Sequence, residues 1–246
     1  MSTNKLILLY LGITLVGSLL PVVRVFLSHF HNLISLGISV CLEGGRKNKI
    51  QLHRDGTGQT TGAAISSLKK AITIYAGYTG TMVGAIGLFY LVERGSYEWV
   101  IALVLGFTIL ALLLWIRNLV GVIWALTVIV LLVVPLYFRF QIFLPVNFRY
   151  ELALPFSISY DMILVQISIL LASVLFIQSI ITTFKVCRQS FMAKSNPGRK
   201  AAIVQTRYIP AVVLGLVLLG QNVFVGYLFV ENFLGLPFHS LFGLNL

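Results

Sequence analysis

Apolar positions dominate this chain in long runs. Seven runs occupy about 6–22, 25–42, 71–92, 99–116, 119–137, 160–184 and 209–231. Each is close to the roughly 20 residues a helix needs to cross about 30 Å of hydrocarbon. The pattern predicts an all-α polytopic membrane protein with about seven transmembrane helices. Only Pro21 separates the first two runs, so one of them can be re-entrant or tilted. One polar interruption, 43–70, has a different period. In it, KIQLH and GQTT flank Arg54-Asp55-Gly56, and Ile50 and Leu52 alternate with polar residues. Asp-Gly between alternating segments predicts a small β-hairpin, here on the cytoplasmic side. In the third run, Gly77, Gly80, Gly84 and Gly87 are spaced three, four and three, which lines them on one helix face. Small residues let helix backbones approach closely in lipid, so a tight helix–helix seam is expected there.

Composition removes the soluble alternatives. Hydrophobic residues make up 58% of the 246 and charged residues only 10%, against roughly 25% charged in soluble domains. The whole of 1–246 reads as one integral membrane domain. A net charge of +11 suggests nucleic acid only if location is ignored. Alternating the loops across a membrane puts fourteen Lys and Arg on one side and four on the other. That asymmetry follows the positive-inside rule and predicts an inner N-terminus and an outer C-terminus. The segment 185–208 carries six basic residues and no acid. Anionic lipid headgroups explain it, and no nucleic-acid partner is expected. The start of the chain has one lysine, Lys5, and no Ala-x-Ala-like site, so it reads as a retained span. Cys41 and Cys187 both fall on the inner, reducing side and read as free thiols.

Chemistry-bearing residues are sparse. A zinc peptidase helix needs two histidines at i and i+4 with a glutamate beside the first. His29 has Leu33 at i+4, and His31 has Ser35 there and Asn32 where the glutamate would stand. From 162 to 230 there is no carboxylate. The amides Asn32, Gln166, Gln178, Gln221 and Asn222 are expected to hydrogen-bond between helices.

The run GGRKNKIQLHRDGTGQT resembles the stretch GGRVxxIxLHPDGSGxT of bacterial site-2-protease-like membrane metallopeptidases. The matching positions are Gly44, Gly45, Arg46, Ile50, Leu52, His53, Asp55, Gly56 and Gly58, with Arg54 in place of the proline. Two further blocks follow in family order. AGYLGxxxxG corresponds to Ala76, Gly77, Tyr78, Gly80 and the nearby Gly84, and ARNLxGV to Arg117, Asn118, Leu119, Gly121 and Val122. The resemblance covers about 25–135 and is weak over 136–246. It implies a zinc helix HExxHG ending about eight residues before the paired glycines. That frame places Asn32 and Leu36 at the two histidines and Leu33 at the glutamate, while Ser35 and Gly37 still match. Sliding by one residue recovers His31 as a ligand but leaves Asn32 at the base. The family's later Ser-Asp pair has only Ser195-Asn196 as a counterpart. The expectation is a catalytically inactive relative, without a cofactor, that binds or regulates other membrane proteins or single-span segments in a bacterial cytoplasmic membrane. An active zinc protease with an atypical site is one alternative, with zinc as its cofactor. A small transporter or an assembly- or immunity-type protein is another.

Overall fold

The computed structural model describes residues 3–44, 48–61, 67–140, 160–195 and 211–234. These form seven helices and one hairpin: α1 (Thr3–Gly17), α2 (Pro21–Glu43), β1 (Lys49–Leu52), β2 (Gly58–Thr61), α3 (Ser67–Glu93), α4 (Tyr97–Leu114), α5 (Leu119–Phe140), α6 (Tyr160–Ser195) and α7 (Ala211–Phe233). The architecture is the expected one, all-α with a two-stranded antiparallel sheet after the second helix. Six helices, α2 to α7, are long and apolar enough to cross a membrane. α1 has 15 residues, about 22 Å of helix, and falls short of that length. Leu19, Val22, Trp99, Leu113 and Leu119 are among many large apolar side chains left exposed. Such a surface suits lipid, not water.

Of the five amides expected to bond between helices, Gln166, Gln221 and Asn222 do so, Gln178 bonds the residue just past α1, and Asn32 bonds the hairpin turn instead of a helix. Asn32 Nδ2 donates to the Gly56 carbonyl at 2.9 Å, and Gln178 Nε2 to Ser18 Oγ, in the turn just after α1, at 2.8 Å. Gln166 accepts from the Tyr10 hydroxyl of α1. Gln221 accepts from Tyr75 and Thr79 of α3, and Asn222 donates to Thr183 of α6 at 3.0 Å. In a medium without water, each bond removes an otherwise unpaid polar group. Apolar packing between them is aromatic at one end: Phe89, Phe176, Phe229 and Phe233 bring α3, α6 and α7 together, with Phe176 and Phe229 at 4.5 Å between ring centres.

These bonds also fix direction. Tyr10 meets Gln166 and Ser18 meets Gln178, so α1 runs parallel to α6. Ser39 bonds the Thr73 carbonyl while His31 lies at Thr81, so α2 runs antiparallel to α3.

The glycine face of α3 divides into a tight half and an open half. A Cβ at Gly77 would lie 2.5 Å from the Ser35 carbonyl oxygen of α2, and one at Gly80 would lie 2.6 Å from Ile38 Cδ1. Gly84 would make only ordinary contact, 3.6 Å from Leu175 of α6, and Gly87 would meet nothing within 4 Å. The close seam is therefore Gly77–Gly80 against α2, and it does not extend through Gly84 and Gly87 as the spacing predicts.

Candidate functional site

The hairpin lies lengthwise on α2. Val25, Ser28, Asn32 and Leu36 share one helix face by their spacing of three and four. A Cβ on Gly56 would stand 2.9 Å from Ser28 Oγ, and one on Gly58 would stand 2.8 Å from Leu36 Cδ1 and 3.2 Å from Asn32 Cβ. Both glycines are needed for this approach. Gly56 is also at φ +84°, a left-handed conformation that favours glycine.

The turn holds itself. Asp55 Oδ1 accepts from the Thr57 N–H at 2.9 Å and from its hydroxyl at 2.7 Å. These bonds hold the Asp55 carboxyl below its usual value. The His53 N–H donates to the Thr57 carbonyl and the Gly56 N–H to the His53 carbonyl. Asp55 thus serves the turn, and half-buried His53 flanks it.

The outer edge of β1 is already paired. The Ile50 N–H donates to the Trp115 carbonyl at 2.9 Å, and Ile50 and Ile116 form a parallel bridge. Asn118 then imitates a strand with its side chain: its Nδ2 donates to the Leu52 carbonyl at 2.6 Å, and its Oδ1 accepts from the Leu52 N–H at 3.2 Å. Gly121 leaves that amide its room, since a Cβ there would sit 2.8 Å from Asn118 Oδ1. Arg117 turns back onto the carbonyls of residues 112–114 and 116, where a cation suits a helix C-terminus. The hairpin and IRNLVGV blocks, far apart in sequence, are one interlocked unit.

Gly44 ends α2 at φ 105°, a left-handed cap. Gly45 and Arg46 lie outside the described residues. Tyr78 stacks on His31 with ring centres 6.0 Å apart. Sequence reasoning missed Glu43, which accepts from Thr73 at 3.0 Å and from Asn48 at 2.8 Å and so ties α2 to α3. Its signal was its position, as the first acid in the chain at the end of a long apolar run.

Residues 5–150, more than half of the chain, match a family model described as Peptidase M50B-like. The chain belongs to the peptidase M50B-like family. The match takes in every block of the interlocked unit, from Gly44 to Gly121. A search of curated proteins and one of solved structures each give no match.

Membership in this family, whose members are site-2-protease-like, raises the question of zinc. The three residues that the resemblance places at HExxH, Asn32, Leu33 and Leu36, do not offer a zinc ligand set. Asn32 turns its amide nitrogen to Gly56, Leu33 is 0% exposed in the apolar core, and Leu36 packs on the hairpin. A leucine offers no donor atom to a metal. Two histidines lie close by. His31 is 1% exposed, with Nδ1 unpartnered and Nε2 3.4 Å from Thr81 Oγ1. His29 is buried against Trp124 with both ring nitrogens unpartnered. Among the described residues, no three His, Cys, Asp or Glu side chains are grouped to hold a metal.

Proposed function

We propose that this M50B-like chain has exchanged catalysis for binding, and that it holds or regulates other membrane proteins through the retained scaffold. One observation carries the reading: the i, i+4 pair aligned with the zinc histidines, Asn32 and Leu36, is taken up by the chain's own hairpin. A hydrolytic centre needs that face open, with a metal to activate water and a base to take its proton. Here an amide–carbonyl bond and an apolar contact stand in their place.

The binding mode follows from strand chemistry. Ile50 and Leu52 direct their backbone groups to residues 115–118. Their partners across the ladder, Thr60 and Gly58, therefore direct theirs away from β1. Among the described residues, no backbone bond ends on that outer edge of β2. An extended segment flanking a partner's membrane span could add there as a third strand.

For orientation we propose a bacterial cytoplasmic membrane, with the hairpin and the basic 185–208 segment inside and the C-terminus outside. The direction of α1 changes one part of the expected topology. Because α1 runs parallel to α6, its first residues belong at the outer end of α6, not inside.

The test is metal content and cleavage. Purified full-length protein should carry no stoichiometric zinc and should not cut span-containing substrates in a chelator-sensitive way. One zinc per chain that is lost on His31→Ala would overturn the reading.

A further inference from the structure

α3 and α7 run parallel. Gln221 accepts from Tyr75 and Thr79, and Phe229 and Phe233 pack on Phe89. Toward the Phe89 end the two helices leave a groove of about 510 Å³ between them. Its apolar walls include Val83 and Ile86 of α3 and Val225 and Leu228 of α7. The lining turns polar at Tyr90, Glu93 and Asn232. On α3, residues 83, 86, 90 and 93 are spaced three, four and three and so share one face. The groove thus runs about 15 Å along α3 from Val83 to a mouth at Glu93.

The mouth favours a cation. The last turns of α3 and α7 contain Glu93 and Glu231 and no basic residue, and a helix C-terminus adds partial negative charge of its own. Asn232 Nδ2 donates to the Leu228 carbonyl at 2.8 Å, which leaves the amide oxygen as an acceptor. One basic side chain stands at the rim. The Arg94 N–H donates to the Tyr90 carbonyl at 3.1 Å, and the Arg94 guanidinium carbon lies 4.4 Å from the centre of the Tyr90 ring. Tyr90 is itself groove lining, so this contact holds Arg94 at the mouth. Stacking on a ring engages the flat face of a guanidinium and keeps its N–H edge for a further bond. Glu93 and Arg94 are both exposed.

We propose that this groove binds one phospholipid of the phosphatidylethanolamine class, a zwitterion with a primary ammonium. An acyl chain lies between α3 and α7, the phosphate meets Arg94, and the ammonium meets Glu93 and the Asn232 amide oxygen. The carboxylate at the end of an apolar groove is what selects this headgroup. A primary ammonium gives it charge-assisted hydrogen bonds. A purely anionic headgroup is repelled by it, and a trimethylammonium has no N–H to give. A partner's apolar span suits the groove less well, because it would cover Glu93 without supplying a cation. Nothing in this proposal depends on whether the chain is catalytic.

Native mass spectrometry of the full-length protein, released from detergent with equal amounts of added lipids, tests it. One phosphatidylethanolamine should be retained in preference to phosphatidylglycerol and to phosphatidylcholine. Glu93→Gln should weaken phosphatidylethanolamine binding by about tenfold and abolish the preference over phosphatidylglycerol. Glu93→Asp should keep that preference, which separates headgroup binding from folding. Arg94→Gln should weaken all three lipids alike, since each carries the phosphate. Val83→Phe should also weaken all three, because Val83 is 60% exposed on the groove wall and the ring would fill it. Lys49→Gln, on the hairpin, should change nothing. Equal retention of phosphatidylethanolamine and phosphatidylglycerol by the wild type would overturn the proposal, as would unchanged binding in Glu93→Gln. Displacement of the lipid by millimolar phosphoethanolamine would mean a site for a soluble headgroup. A dimer lost on Val83→Phe would mean a protein-binding surface. Either result overturns the lipid assignment.

Discussion

At the scale of single residues, this protein depends on where a Cβ can and cannot go. Gly77 faces the Ser35 carbonyl oxygen across the α2–α3 seam, and a helix backbone cannot step aside as a flexible side chain can. Gly77→Ala should therefore cost about 1–3 kcal/mol, read as a lower melting temperature in detergent. Gly87→Ala should be neutral or stabilising, because its Cβ enters open space and alanine is the better helix former. Equal melting temperatures for the two variants would show that the seam is not tight. Asn118 is the polar counterpart. Asn118→Ala leaves the N–H and carbonyl of Leu52 without the partner each has now. The loss should be on the order of 1–3 kcal/mol, with faster amide exchange in β1. Unchanged exchange at Leu52 would remove Asn118 from the hairpin's support.

Among the elements, the hairpin carries a carboxylate whose pairing makes its stability respond to pH. The Asp55 carboxyl is held below its usual value of 3.8 by the Thr57 hydroxyl and N–H. A lowered folded value means that the contribution is present above the unfolded value and is lost as pH falls through the lower, folded one. The turn should stay closed at neutral pH and loosen only in strong acid, seen as faster exchange of the Thr57 amide below about pH 4. Asp55→Asn should flatten that dependence, and an unaltered acid response in this variant would assign the transition to another group. The turn's docking on α2 is separate, since it rests on the Asn32–Gly56 bond and glycine contacts that do not titrate.

For the molecule as a whole, the decisive property is orientation. A cysteine-free background (Cys41→Ser, Cys187→Ser) with Gln59→Cys on β2 should resist a membrane-impermeant thiol reagent in intact cells. Ser96→Cys, in the connection from α3 to α4, should react. The reverse pattern would invert the orientation and remove an inner docking role for the hairpin. A cysteine at Asn4, near the start of α1, adds a third measurement. It should label from outside if α1 enters along α6 as its two hydrogen bonds direct, and should stay protected if α1 crosses from the inner side.

The sequence alone determined the elements and their medium. Unbroken apolar runs cannot be hidden in a soluble core of this size, so the long helices and the bilayer were legible, as was the hairpin from Asp55-Gly56 and its flanking alternation. The amides were legible too, because a polar group in hydrocarbon must find a partner. What tertiary structure decided is which partner each one finds. Spacing put four glycines on one face of α3, but only the way α2 lies against it makes Gly77 and Gly80 tight and leaves Gly84 and Gly87 open. Nor could the sequence say that Asn118 completes β1, or that Asn32 and Leu36 would be covered by their own hairpin, because these pairings join segments far apart along the chain. The direction of α1 was likewise hidden. Apolar composition makes any helix compatible with lipid, and only the contacts of Tyr10 and Ser18 with α6 choose which way it runs.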